Sequence, residues 1–205
     1  MTPSVIRRAA FALTLTFAVV TPAAAQGGLG IKGGLMASRL STTPDSSDVL
    51  GTLTDFTAGV FGVVGSRAPV TAQFEAMISR RGATIVGSVI GLGSFGKVRS
   101  TYLDVSAFVR AQTAGDSANR FYFFAGPTIG FEMKTEFIVA GFATDLDFAT
   151  EDWDVILAAG AGVEVGHFLI EGRYSHGLSN LLVGADLFGF QAKHRSASLV
   201  AGVRF

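Results

Sequence analysis

His194 and Ser196 lie two residues apart in a strand-like stretch, Ala192–Phe205, so their side chains share one face. A histidine beside a serine is the start of a nucleophilic site, which still needs a carboxylate to orient the ring. Glu171, on the neighbouring strand-like stretch, is the candidate acid. The plainer reading makes these residues polar lining of an inner face or a rim. A larger group consists of Lys32, Glu75, Asp104, Arg110, Glu164, Glu171, Arg173 and Arg204, all on the polar side of their segments. Such a set can form an ion path or a catalytic carboxylate pair, or it can form a paired structural network. Both signs are interspersed, which is how buried charges become tolerable. Glu75, Asp104, Arg110, Glu164, Glu171, Arg173 and Arg204 are therefore read as a structural network, with no catalytic, cofactor-binding or metal residue assigned.

A third group, Asp145, Asp147, Glu151, Asp152 and Asp154, suits calcium or a cation bridge to lipopolysaccharide phosphates. Its spacing lacks the EF-hand pattern and turn glycine, so it reads as a solvated acidic loop. Phe137, Ile138, Val139, Phe142, Leu146 and Phe148 make the same region apolar, which also fits a hairpin with Ala140-Gly141 near its tip. Gly91–Gly96 superficially resembles a nucleotide loop, but no helix follows it, and it reads as an extracellular loop. No Walker, zinc or nucleophile-elbow motif occurs.

The elements that must position these residues follow from alternation. Residues 1–25 have the layout of a secretory signal: Arg7 and Arg8, an apolar run from Ala9 to Val20, and Ala23-Ala24-Ala25 as a cleavage site. That run is too short to span a bilayer, which takes about 20 apolar residues. The leader holds two of the chain's 16 basic residues, leaving 14 against 16 acidic ones in residues 26–205. This balance offers no footprint for nucleic acid. There is no cysteine, hence no disulfide and no lipid-anchoring thiol.

Eight segments then alternate apolar with small or polar residues: Gly28–Ser38, Asp55–Ser66, Val70–Arg80, Arg99–Gln112, Arg120–Met133, Asp152–Gly166, His167–Leu178 and Ala192–Phe205. Pro127 removes a ladder hydrogen bond from the fifth and predicts a local bulge. Short connections at Arg67-Ala68-Pro69, 114–118 and Gly166-His167 alternate with long ones at 39–54, 81–98, 134–151 and 179–191. Short periplasmic turns and long outer loops are the rule for transmembrane barrels. The last strand puts Phe205, Val203, Ala201, Leu199 and Ala197 on one face, ending on an aromatic residue. A secreted soluble barrel would alternate in the same way with its apolar face inward; the leader and terminal phenylalanine favour the membrane form. The expectation is an all-β, eight-stranded antiparallel up-and-down transmembrane barrel over 26–205.

The run Glu171-Gly172-Arg173-Tyr174-Ser175-His176-Gly177-Leu178-Ser179-Asn180-Leu181, preceded by Ala158–Glu164, resembles the outer-membrane β-barrel domain family that includes PorT-like and OmpX-like small barrels. The resemblance implies an eight-stranded outer-membrane barrel and says little about activity. His176, Ser179 and Asn180 also resemble the His-x-Ser-Asn run of the outer-membrane lipid A deacylase, with one extra residue that puts His176 and Ser179 on opposite strand faces.

The reading adopted is a non-enzymatic, monomeric integral outer-membrane protein with a packed polar interior, acting in envelope structure or loop-mediated binding. Both termini are expected on the periplasmic side. Expected partners are outer-membrane lipid, lipopolysaccharide and an envelope protein met through the loops, with no cofactor and no nucleic acid. The alternatives are a narrow channel or small-solute transporter, and a lipid-modifying enzyme using His194, Ser196 and Glu171.

Overall fold

The computed structural model describes residues 28–43, 50–65, 68–86, 94–113, 119–139, 142–145, 153–179 and 191–205. The expected leader and its cleavage site lie outside the described residues. The strands are β1 (Gly28–Thr43), β2 (Leu50–Val64), β3 (Val70–Val86), β4 (Ser94–Gln112), β5 (Asn119–Val139), β6 (Phe142–Asp145), β7 (Trp153–Val165), β8 (Phe168–Gly177) and β9 (Gln191–Arg204). They pair antiparallel in the order β4-β3-β2-β1-β9-β8-β7-β5, and a β4–β5 ladder closes the ring. The wall is thus a closed eight-stranded barrel. Among the described residues β6 pairs with the far end of β5 alone, from Glu136↔Asp145 to Val139↔Phe142. This is the expected apolar hairpin; the residues expected at its tip, 140–141, lie outside the described ones.

Burial settles which face is which. Leu35, Val109, Phe123 and Leu199 are 62–69% exposed, whereas Lys32, Glu75, Arg110 and Glu171 are at most 4% exposed. A water-soluble barrel would show the reverse, because its greasy face fills the inside. Phe121, Phe168 and Phe205 are also exposed, near the short-turn end, as an aromatic girdle requires. At that end Val165 pairs with Phe168 across the two-residue turn Gly166-His167. Gly166 sits there at φ +61°, which a side chain would disfavour.

Two details differ from the alternation reading. β2, β3, β4 and β5 run well into segments expected to be loops: β3 and β4 stay paired as far as Val86↔Ser94. Strand pairing is a backbone hydrogen-bond ladder and continues where apolar side chains stop. Pro127 also causes no bulge. β5 keeps one register past it against β7, and resumes the same register against β4 after a gap between Ser106↔Thr128 and Val109↔Ala125. The ladder tolerates the missing N–H locally, and the ring faces outward. The β4–β5 shift lies instead between Thr101↔Lys134 and Tyr102↔Glu132. It keeps both Glu132 and Thr135 on the inner side, where Glu132 accepts hydrogen bonds from the Tyr102 and Thr135 hydroxyls at 3.0 and 2.7 Å.

Candidate functional site

Three polar layers fill the lumen. The middle layer is a knot of Lys32 (β1), Glu75 (β3), Glu171 and Arg173 (β8). Lys32 Nζ donates to Glu75 Oε1 at 2.5 Å and to both Glu171 oxygens at 3.0 Å. Arg173 Nη2 lies 2.9 Å from the Glu75 carboxylate and 2.5 Å from Glu171 Oε1. Gln73 Nε2 and the Tyr122 hydroxyl add hydrogen bonds to Glu75 and Glu171, at 2.6 and 3.3 Å. In the strand order β3 and β8 stand on opposite sides of the ring, so the Arg173–Glu75 contact crosses the lumen. Two cations and two carboxylates cancel. The knot is walled by aromatic faces: Arg173 packs over Phe108 and Phe124 at 4.9 and 5.1 Å, and Lys32 over Phe61 at 5.4 Å.

Glycines make room for these rings. Gly160 and Gly162 on β7 pair with Phe124 and Tyr122 on β5. A Cβ at Gly160 would come within 2.5 Å of Phe124 Cζ, and one at Gly162 within 2.4 Å of the Tyr122 hydroxyl. The inward small residues and the inward rings are one packing solution, with the rings covering the bare glycine backbone.

Toward the short turns, Arg110 Nη2 donates to Glu164 Oε1 at 2.8 Å and Nη1 to Gln73 Oε1 at 3.2 Å. Its guanidinium lies 3.7 Å over the Tyr122 ring. Arg204 and Arg120 approach the same carboxylate, at 3.2 and 3.7 Å. Toward the other end, Asp104 accepts from Arg81 and, at 2.5 Å, from Ser79 Oγ. Asp154 Oδ2 lies 3.2 Å from His194 Nδ1 and 3.5 Å from Arg81 Nη1. The Tyr102 ring meets His194 edge-on at 5.8 Å. Between this layer and the knot is a cavity of about 30 Å³ lined by Arg81, Asp104 and Arg173 with Ser79, Ser196 and Ser198. Met36, Met77, Ile156 and Val200 complete a mixed polar and apolar lining, and the space is on the order of one water in size.

The residues singled out from sequence fall into these layers. Glu75, Glu171 and Arg173 meet in the knot; Arg110, Glu164 and Arg204 meet below it; Asp104 stands apart, above it. The proposed trio does not assemble. Glu171 pairs with Val200 on β9, about 20 Å of strand from His194 at ~3.4 Å per residue. Glu171 is consumed by Lys32 and Arg173, and the acid on His194 is Asp154. His194 and Ser196 are both buried inside the barrel, so neither meets lipid. His176 belongs to the outward column of β8 and has no acidic partner among the described residues, while Ser179 Oγ accepts the Val155 N–H at 3.0 Å. Of the expected acidic loop, Asp154 is a fully buried lumen residue; Asp147, Glu151 and Asp152 lie outside the described residues. Among the described residues no cluster of three or more His, Cys, Asp or Glu could hold a metal.

Sequence reading left Arg81, Tyr122 and Arg120 out of the network, faced Gln73 inward without giving it a partner, and placed Asp154 in the acidic loop. Parity could have found several of them: Arg81 continues the inward series Glu75, Met77, Ser79, and Asp154 continues Gly160, Gly162, Glu164 backwards.

A protein-family match agrees with this architecture. The model of the family described as outer membrane protein beta-barrel domain matches residues 24–183. No curated protein matches the chain. Among solved structures, Ail, the attachment invasion locus protein of Yersinia pestis in complex with the heparin analogue sucrose octasulfate, is 19% identical at a TM-score of 0.46, covering 88% of this chain and 99% of that one. OprG from Pseudomonas aeruginosa is 13% identical at a TM-score of 0.48, covering 88% and 96%. The outer membrane enzyme PagL is 14% identical at a TM-score of 0.46, covering 82% and 97%. The family match spans most of the chain and agrees with the closed, outward-greasy barrel: the protein belongs to the outer membrane protein beta-barrel domain family and is an integral outer-membrane protein.

Proposed function

We propose that the protein is a non-enzymatic, non-conducting envelope barrel. It acts as a monomer in envelope structure or in binding through its extracellular extensions. Both termini and the short turns face the periplasm, and outer-membrane lipid, lipopolysaccharide and an envelope protein are its partners. The observation that carries this reading is the knot. Lys32, Glu75, Glu171 and Arg173 neutralise one another from opposite walls of an eight-stranded lumen, whose width side chains alone can fill. The long, paired strand ends beyond the bilayer form a platform for partners.

The test is single-channel recording of the folded protein in planar bilayers, with heat-modifiable gel mobility as the folding control. Silence is expected. A variant in which Lys32, Glu75, Glu171 and Arg173 are all replaced by serine should open a conductance in the same assay. Steady discrete openings of the parent would replace this reading with a channel. Acyl release from lipid A by the parent, followed by mass spectrometry, would replace it with a lipid-modifying enzyme.

A further inference from the structure

The lipid-facing surface carries a group of cationic side chains on β1, β9 and β8. Arg39 on β1 pairs directly with Arg195 on β9, and Arg195 pairs directly with His176 on β8. Paired residues share a face, and this is the outward one: Leu35↔Leu199 and Ala37↔Ala197 precede Arg39↔Arg195 in the same column. Like charges placed directly opposite on neighbouring strands repel and destabilise the pair. No described carboxylate relieves them. The outward columns of β8, β9 and β1 hold no Asp or Glu, and no carboxylate among the described residues pairs with Arg39, Arg195 or His176. Arg195 Nε is shielded from solvent and has no hydrogen-bond partner.

The height of the group fits a lipid headgroup. From the terminal Phe205 to Arg195 the strand climbs about 34 Å, at ~3.4 Å per residue. At a tilt near 40° that is roughly 26 Å along the membrane normal, matching an apolar band of about 25 Å. Leu199, Leu35 and Tyr174, directly beneath, are all more than half exposed. The surface therefore offers acyl contacts below and two guanidiniums with an imidazole above, at the edge of the bilayer away from the short turns. Guanidinium is suited to phosphate because its fork matches two oxygens at once.

We propose that Arg39, Arg195 and His176 form a docking site for the phosphate of an outer-leaflet lipid, the phosphorylated glucosamine headgroup of lipid A. The phosphate supplies the missing negative charge, and the acyl chains lie along the Leu35–Leu199 column. This deepens the lipopolysaccharide partnership proposed above and rests on that reading's orientation, with the short turns in the periplasm; it does not depend on the sealed lumen, since the site is on the outside of the wall.

The test is native mass spectrometry of the folded full protein in zwitterionic detergent, titrated with bisphosphorylated lipid A or with the same lipid lacking its phosphates. The parent should retain one phosphorylated lipid, and the Arg39→Gln/Arg195→Gln variant should bind it roughly tenfold or more weakly. The variant Lys97→Gln/Lys134→Gln, which removes two outward charges on β4 and β5, should bind like the parent. Arg195→Lys alone, which keeps the charge, should retain the lipid and covers the case where the double variant does not fold. Equal weakening by both double variants would reduce the effect to net charge and overturn the site. Equal retention of the phosphate-free lipid would overturn it too, as would loss of retention to millimolar inorganic phosphate at constant ionic strength without any dependence on Arg39 and Arg195.

Discussion

In the middle of the lumen two cations meet two carboxylates, while toward the short turns three arginines converge on Glu164 alone. Position along the barrel, more than the exposure of any one side chain, sets the contrast. Lys32, Glu75 and Glu171 have side chains at most 1% exposed, and Arg173 is 12% exposed. Arg120 and Arg204 are 13% and 16% exposed, at the mouth of the barrel. A buried ion without its counter-ion is costly, so the middle must balance. Surplus charge is affordable where water begins. Arg110, fully buried, marks the boundary: it takes the stronger bond to Glu164, a second to Gln73, and the face of Tyr122.

The largest effect should come from unbalancing the middle. Glu75→Gln leaves Lys32 and Arg173 sharing one carboxylate, and should cost about 3–5 kcal/mol in urea titrations of the protein folded in vesicles. Leu199→Arg, on β9, tests the outer side of the wall and should cost about 2–4 kcal/mol, with Ser198→Ala on the lumen side of that strand changing far less. Parent-like stability of Leu199→Arg would invert the face assignment and dissolve the comparison. Gly162→Val drives two methyls toward Tyr122, which touches both layers, and should cost about 1–3 kcal/mol through overpacking. Arg204→Gln removes one of three arginines sharing Glu164 and leaves the other two to balance it, and less than about 1 kcal/mol should be lost. A cost for Arg204→Gln equal to that of Glu75→Gln would mean the two layers are not electrically different.

Much of this was legible before the structure. Period-two alternation located all eight wall strands, and the parity of Glu75, Glu171 and Arg173 put them on one inner surface. Pairing across the barrel was not legible. Which wall positions oppose each other depends on shear, so Glu171 was equally free to meet His194 or Lys32 until the register placed it beside Val200. Strand ends were lost for a different reason. Beyond the bilayer the outward residues turn polar, as at Arg80 and Thr101, and the apolar half of the signal vanishes while the ladder runs on. Asp154 was read into an acidic loop because its sequence neighbours are acidic, although its inward parity makes it a partner for His194 and Arg81.

The most direct test of the central claim is a double-mutant cycle between Lys32 and Glu75, read as unfolding free energy in lipid vesicles. Lys32→Met leaves the middle layer with surplus negative charge and Glu75→Gln leaves it with surplus positive charge, so each should cost about 3–5 kcal/mol. The double variant retains the neutral Arg173–Glu171 pair. It should be at least as stable as either single variant, a coupling well outside the additivity of independent sites. Costs that simply add would contradict the account, because they would show that Lys32 and Glu75 do not neutralise each other in the lumen.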